Sequence, residues 1–232
     1  MKKLKTLTSL VLVIISCQSQ TEFDLATISL PLSFEDIEKD ESTMEKDEGL
    51  SNNEFEVYKS TNVNFFRFRN IVFDQNFSDE FWSPTTIRFF MDSHTNNLEL
   101  LHFETLDKEN SKSLYEASLE VFGTPDYYNK DNDFFEALWE QDGYFISLVQ
   151  NHTTRIGEKR TTSSSFKYFG NNLNSLTDYF FKPHFAYYLD YLEVRKSKQT
   201  KGYNYEDFAK DKAEEMFGDS QYLDDINDND PL

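Results

Sequence analysis

Two neighbouring segments in the middle of the chain, "TTIRFFMD" and "LELLHFET", place apolar residues at alternate positions. A period of two is typical of a strand with one buried face. The intervening "SHTNN" consists of turn-forming residues, so the two segments are predicted to form a hairpin. The apolar positions on the predicted buried face are Ile87, Phe89, Met91, Leu101 and Phe103.

The segment "ALWEQDGYFISLV" predicts a second hairpin. Asp142 and Gly143 form a preferred two-residue turn, because both central positions of such a turn require positive φ. Folding at this turn pairs residues at known offsets, and one face then carries Trp139, Ile146 and Leu148, which we assign to the core. The predicted pairs are Gln141 with Tyr144, Trp139 with Ile146, and Ala137 with Leu148. A further strand is predicted in "SSSFKYFGN", through Phe166 and Tyr168.

The period changes to that of a helix in "NSKSLYEASLEVFG". Leu114, Ser118, Val121 and Phe122 recur at helical spacing, Asn110 or Ser111 can cap the start, and Gly123 can end the helix. Pro125 prevents continuation of the helix.

Three more helical segments are predicted in the C-terminal third of the chain. "SLTDYFF" is expected to stop at Pro183, and "PHFAYYLDYLEVRK" starts with that proline in the first turn. "YEDFAKDKAEEMFG" has Asn204 as cap and Gly218 as stop. One stripe of this predicted helix consists of Tyr205, Phe208, Ala209, Lys212, Ala213 and Met216.

Before residue 54 the pattern is weaker. "ATISLPLSF" alternates and predicts a strand, which Pro31 would confine to a sheet edge. "EDIEKDESTMEKDEG" is a run of charges and predicts a flexible loop. After it, "VNFFRFRNIVFD" predicts a strand with Phe66, Phe68 and Val72 on one face.

These elements together predict the α+β class, with an antiparallel sheet of hairpins, one central helix and C-terminal helices. The predicted organisation is a signal peptide (1–16), a lipidated cysteine with an acidic tether (17–53), a single domain (54–218) and an acidic tail (219–232).

The first 17 residues have the order of a secretory signal. Lys2, Lys3 and Lys5 precede a short apolar run that is too short to span a bilayer, and a small residue, Ser16, precedes Cys17. The string "IISC" resembles the lipobox of bacterial lipoproteins, although isoleucine two positions before the cysteine is less usual there. The resemblance implies that a lipid is attached to Cys17, and that the folded part lies outside the cytoplasm on a membrane of the bacterial cell envelope.

Two other interpretations of this segment stay open. A secreted protein can carry a cysteine in its signal by chance. The acceptor patterns "NFS" and "NHT" also fit a eukaryotic glycoprotein. Cys17 is the chain's one cysteine, so no disulfide can form within the chain.

Composition excludes one class of partner. The chain has 42 acidic and 23 basic residues and a formal charge of −19. Binding of nucleic acid needs clustered lysine and arginine, so nucleic acid is excluded as a partner. The same charge favours a basic protein or a cation.

Candidate chemistry is sparse in the sequence. No Gly-x-Ser-x-Gly elbow, phosphate loop or His-Glu-x-x-His motif occurs, and we predict no catalytic residues, no metal site and no cofactor. "NKDNDFFEALWE" has the ligand spacing of a calcium loop at Asn129, Asp131, Asp133 and Glu140, but Phe134 occupies the position that needs glycine. A polar turn leading into a strand is the preferred interpretation. "HTTR" at His152 resembles one half of a phosphoesterase motif, and the second copy is missing.

The helix end "LEVFGTPD" followed by a hairpin with a tryptophan loosely resembles small domains of envelope lipoproteins.

The sequence leaves two functions open. The first is a membrane-anchored lipoprotein that acts as a non-enzymatic binding, scaffold or protective module. The alternative is an extracytoplasmic hydrolase that uses carboxylates for acid/base chemistry.

Overall fold

The computed structural model describes residues 23–37, 44–73, 85–170, 176–198, 200–215 and 222. The fold is α+β, as predicted. A large antiparallel sheet of eight strands has helices on both of its faces.

The described strands are β1 (Met44–Lys46), β2 (Phe55–Ser60), β3 (Arg67–Phe68), β4 (Ile71–Val72), β5 (Thr86–Asp92), β6 (Leu98–Thr105), β7 (Tyr127–Lys130), β8 (Phe134–Gln141), β9 (Tyr144–Ile156) and β10 (Lys159–Gly170). Their order across the main sheet is β1-β2-β5-β6-β10-β9-β8-β7, and β3 and β4 form a separate small hairpin.

The predicted hairpins are confirmed. β5 pairs with β6, and β8 pairs with β9 in the predicted register, in which Trp139 faces Ile146. Gly143 has φ +88°, a value that favours glycine at this turn. The strand predicted at Phe166 is the C-terminal part of β10, which pairs with both β6 and β9. The segment "NKDNDFFEALWE" contains the end of β7, a turn and most of β8, so it forms a turn leading into a strand.

Each face of the main sheet has its own apolar core. One face, which we call the α2 face, packs against helix α2 (Lys108–Phe122) and the N-terminal segments. The opposite face, which we call the groove face, packs against the C-terminal helices. The α2 face carries Ile87, Phe89, Phe103, Ile146, Leu148 and Phe166. The groove face carries Val57, Phe90, Leu100, Phe145 and Phe169.

Helix α2 begins earlier than predicted. Its N-cap is Asp107, whose carboxylate accepts a hydrogen bond from the backbone N–H of Asn110. The predicted end is confirmed, because Gly123 follows the helix with φ +77°. The carbonyl of Gly123 accepts a hydrogen bond of 2.9 Å from the indole N–H of Trp139, which is 1 % exposed. The predicted core position of Trp139 is confirmed.

The N-terminal segments differ from the prediction. "ATISLPLSF" forms a 3₁₀ turn at Leu25–Thr27, a single bridge between Ser33 and Asn97, and the short helix α1 (Phe34–Ile37), so the predicted strand is wrong. The chain crosses the α2 face here. Its alternating apolar side chains pack against the core of that face without forming a strand. Part of the predicted charged loop is α1 and β1, and residues 38–43 lie outside the described ranges. The folded part therefore begins before the predicted boundary at residue 54.

The predicted long strand around Phe66 is also wrong. The segment forms a 3₁₀ turn (Val63–Phe65) and the β3–β4 hairpin. Phe66 and Phe68 are fully buried, whereas Val72 is 44 % exposed. Two reversals of the chain in this short stretch allow phenylalanines from both arms to reach the core.

The apolar part of the groove face is covered by C-terminal helical segments. A π-helix (Thr177–Phe181) leads directly into α3 (Lys182–Lys198), and α4 (Tyr205–Glu215) follows. Pro183 lies in the first turn of α3, as predicted. The π-helix does not stop at Pro183, but the helical path is kinked two residues later at Phe185, whose φ of −123° and ψ of 32° are not helical. In α4 the cap Asn204 and the buried stripe are confirmed at Tyr205 and Phe208. Met216 and Gly218 lie outside the described residues.

Candidate binding groove

Part of the groove face is not covered by the C-terminal helices and forms an open groove of about 410 Å³. The groove lies over the central strands, beside the aromatic core of that face. Residues that line it include Lys59, Thr86, Arg88, Glu104, Asn151 and Ser165. Its volume falls within the range of about 300–1,000 Å³ that is typical of small-molecule sites.

The groove arises from a change in residue type along the strands. Directly paired residues on five adjacent strands form an apolar row on the groove face, which consists of Val57, Phe90, Leu100, Phe169 and Phe145. Two positions further along each strand, the paired residues on the same face are Lys59, Arg88, His102, Lys167 and Ser147. We call this second set the basic row. One step of two residues, about 7 Å, separates the apolar core from this polar row, in which His102, Lys167 and Ser147 are buried and Lys59 and Arg88 line the groove.

Arg88 is the central cation of the groove. Its Nη1 donates a hydrogen bond to Glu104 on the neighbouring strand, and its Nε lies 3.6 Å from Oδ2 of Asp47. The Nε–H is buried and has no hydrogen-bond acceptor among the described residues. Nη1 is bound to Glu104 and Nε lies near Asp47, and the remaining nitrogen of Arg88, Nη2, has no hydrogen bond to the described residues.

His102 lies beside Arg88 and is 6 % exposed. Its Nε2 is 2.8 Å from Oγ of Ser165 and 3.5 Å from Oε1 of Glu104, and its ring contacts Phe180 of the π-helix. Burial, together with the positive charges of Lys167 and Arg88, holds the pKa of His102 well below its usual value of about 6.5. The imidazole is therefore neutral at pH 7.

Lys167 is the most buried cation of the basic row, with 4 % of the residue exposed. It has no ion pair or hydrogen bond through its side chain to any residue that the structure describes. Burial lowers its pKa to about 8, against the opposing influence of Glu104 and Glu136. The adjacent Ser147 hydroxyl is also buried without a partner in the described part of the chain.

Glu136 and His184 join the sheet to α3 next to this row. His184 Nδ1 is 2.6 Å from Oε1 of Glu136, whose residue is 7 % exposed. The buried carboxylate of Glu136 is therefore paired with His184 and not with Lys167.

A second polar cluster fixes α3 to the end of β8. Nη1 and Nη2 of Arg195 donate to Glu140, at 2.7 and 2.6 Å, and the Tyr188 hydroxyl donates to the same carboxylate at 2.9 Å. Burial alone would raise the pKa of Glu140, but the hydrogen bonds from Arg195 and Tyr188 outweigh it and lower the pKa. The carboxylate of Glu140 thus accepts three hydrogen bonds from α3, so we assign this cluster a structural role.

The sequence-predicted site residues do not come together in the groove. Cys17 lies outside the described residues, as does most of the acidic tail, of which Tyr222 alone is described and donates to Asp190. Asp131 accepts hydrogen bonds from the backbone of its own turn, and His152 lies exposed on β9. No group of three metal-ligating side chains occurs within the described ranges.

Sequence reasoning missed the basic row. A signal was present, because Arg88, His102 and Lys167 each interrupt an otherwise apolar strand segment, in "TIRFF", "LLHFE" and "SFKYF". A charge inside an apolar strand marks a position where one face changes from core to another use. The sequence alone does not show that three such interruptions lie side by side, since 53 residues lie between the end of β6 and the start of β10.

Comparison with family models, with curated proteins and with solved structures finds no match to this chain. In the described part of the chain, no helix combines the length and the apolar character needed to cross a bilayer.

Proposed function

We propose that the protein is a lipoprotein of the bacterial cell envelope, anchored through Cys17, whose folded part is a non-enzymatic module that binds a small polar ligand in the groove. The observation that carries the binding role is the groove itself. It is concave, has the volume of a small-molecule site, and is lined by Lys59 and Arg88 together with hydroxyl and amide side chains. The observation that supports the anchor is the "IISC" pattern behind a short apolar run.

The described carboxylates around the groove favour binding over carboxylate hydrolysis. Acid/base hydrolysis of a glycoside needs two carboxyl groups that flank the scissile bond. Among the described lining residues Glu104 is the one carboxylate, and it is engaged by Arg88. Asp47 is a second carboxylate near Arg88, and its Oδ2 lies 3.6 Å from the Nε of the guanidinium. Both carboxylates thus orient Arg88.

One observation favours a second candidate function, acyl transfer at Ser165. A neutral histidine within hydrogen-bond reach of a serine hydroxyl that lines a groove is the contact on which nucleophilic catalysis depends. In this reaction the hydroxyl would attack an ester carbonyl, and His102 would take its proton and return it to the leaving alcohol. A fluorophosphonate probe tests this: it should label wild type and Ser163→Ala but not Ser165→Ala. Absence of labelling in wild type eliminates this function.

Substitution at the proposed lipidation site tests the anchor. Cys17→Ser expressed in a bacterial host should remain unprocessed or become soluble, and it should not incorporate labelled palmitate. Wild type should incorporate the label and partition with membranes, because acyl chains contribute about 0.8 kcal/mol for each buried CH₂. Equal partitioning and processing of the two proteins would show that the lipoprotein assignment is wrong.

Blocking the groove tests the binding role. A ligand at 100 times its dissociation constant stabilises the fold by about 2.7 kcal/mol, so a thermal-shift screen of small polar metabolites should identify binders. Ser163→Trp, which places an indole in the groove, should abolish the shift. Ser197→Trp, at an exposed position on α3, is the matched control and should retain it. If the shifts survive Ser163→Trp, ligand binding lies elsewhere.

A further inference from the structure

We propose that the groove recognises an anionic group, a carboxylate or a phosphate, carried by a small hydroxyl-bearing compound, and that Lys59 and Arg88 bind this anion. The inference rests on the proposed binding function and specifies the class of ligand. The two cations are directly paired on β2 and β5, so their side chains leave the same face of the sheet about 5 Å apart.

Four basic residues on adjacent strands are unusual in a sheet, because like charges directly opposite each other are destabilising. In the basic row His102 is neutral, and Arg88 is balanced by Glu104 and Asp47. Lys59 and Lys167 have no carboxylate partner in the ranges that the structure describes. Within the described ranges, Lys59 in the groove wall and Lys167 near it therefore make no direct ion pair, in a chain whose formal charge is −19.

The two lysines differ in their access to a ligand. Lys59 lines the groove and is half-buried, so its ammonium can contact an anion directly. Lys167 lies two residues from Ser165 along β10, on the same face of the sheet. Lys167 does not line the groove, so it acts on a ligand through its charge alone. An anion in the groove would offset the cost of keeping Lys167 charged, which is a source of binding energy that a neutral ligand lacks.

Arg88 supplies directional recognition of the same group. Its Nη1 is held by Glu104 and its Nε lies 3.6 Å from Asp47, and the remaining nitrogen, Nη2, has no hydrogen bond to the residues the structure describes. Guanidinium groups bind carboxylates and phosphates through pairs of parallel N–H donors, which an uncharged hydroxyl cannot match. The orientation of Arg88 is set by the surrounding carboxylates, so little conformational entropy is lost when an anion binds.

The remainder of the groove wall fits hydroxyl groups. Thr86, Asn151, Ser163 and Ser165 present hydroxyl and amide groups that can both donate and accept hydrogen bonds. Size and charge exclude a polyanion, because the groove holds about 410 Å³ and the field of the whole chain repels an extended negative molecule. Sugar acids and sugar phosphates are therefore the two ligand types that the groove accommodates.

Calorimetric titration of the detergent-solubilised full-length chain with three probes tests the inference. Glucuronate and glucose 6-phosphate should bind, and glucose should bind at least tenfold more weakly. Lys59→Gln should raise the dissociation constants of the anions at least tenfold. Lys130→Gln, at an exposed position on β7, is the matched control and should leave them unchanged. Comparison of the two anions decides between a carboxylate and a phosphate.

The outcomes separate this inference from the proposed function. If glucose or another uncharged compound binds as well as the anions, and Ser163→Trp blocks it, the groove is a binding site but anion recognition is wrong. Anion binding that is unchanged in Lys59→Gln also overturns the inference. If neither the probes nor the metabolite screen reveals any compound that Ser163→Trp displaces, both proposals fail.

Discussion

The two faces of the sheet show how one set of strands supports two uses. The α2 face is covered by α2 and the N-terminal segments. Its polar end is buried as well, and there Gln150 donates hydrogen bonds to Ser164 and to the backbone carbonyl of Ser111 on α2. The groove face is apolar near the C-terminal helices and becomes polar two residues further along each strand. Side chains alternate between the faces, so the same strands supply both surfaces. The polar residues at the end of the α2 face are thus buried and paired under a helix, whereas those on the groove face line an open groove.

The largest expected effect is on the α2 face. Trp139→Ala should lower the free energy of unfolding by roughly 3–5 kcal/mol, because it removes a fully buried indole and its hydrogen bond to Gly123. Urea denaturation measures this loss. Tyr179→Ala, which removes a ring that is 69 % exposed, should change stability by less than about 0.5 kcal/mol. Similar losses in the two variants would contradict the assignment of Trp139 to the core.

Two consecutive residues of β9 compare the faces directly. Leu148 is fully buried on the α2 face, whereas the half-buried Val149 lines the groove. Leu148→Ala should cost about 2–5 kcal/mol, as is usual for a core leucine. Val149→Ala should cost below about 1 kcal/mol, since a partly exposed side chain leaves no closed cavity. A large loss in Val149→Ala would mean that the groove is closed by other parts of the chain.

Lys167 allows a test through pH. Its pKa of about 8 in the folded protein is below the usual value of 10.5, so the unfolded state binds more protons between these values. Stability should therefore rise with pH in this window, by about 2 kcal/mol between pH 8 and 9.5. Lys167→Met should be more stable than wild type at pH 7.5 and should lack this rise. Lys130→Met serves as an exposed control, and an unchanged rise in Lys167→Met would show that Lys167 is not its source.

The smallest expected effect concerns the contact between α3 and the sheet. The pKa of Glu140 is lowered in the folded protein, so its stabilisation is present above the unfolded value of about 4.5 and is lost as pH falls below it. Glu140→Gln should lower stability by about 1 kcal/mol at pH 7, and the difference from wild type should vanish in acid. Denaturation curves at pH 7 and pH 3 test this, with exposed Glu158→Gln as control. A difference that persists at pH 3 would indicate loss of packing and not of charge.

Prediction from sequence succeeded where the signal was local. The Asp142–Gly143 turn dictated the β8–β9 register, and Gly123 marked the end of α2. It failed where chain reversals mattered, as around Phe66, because an aromatic-rich segment buries its rings equally well in a strand or in a turn. The groove also escaped prediction, since its residues come from β2, β5, β6, β9 and β10.

The sequence by itself determined the class of the fold, the main hairpins, the central helix and the pattern at Cys17, because periodicity and turn chemistry act within a few residues. Tertiary structure alone decided which strands are neighbours. That choice brought Lys59, Arg88, His102 and Lys167 into one row. The physical reason is that strand pairing is chosen by the burial of the two apolar cores as a whole, and the polar residues follow into positions that no local pattern specifies.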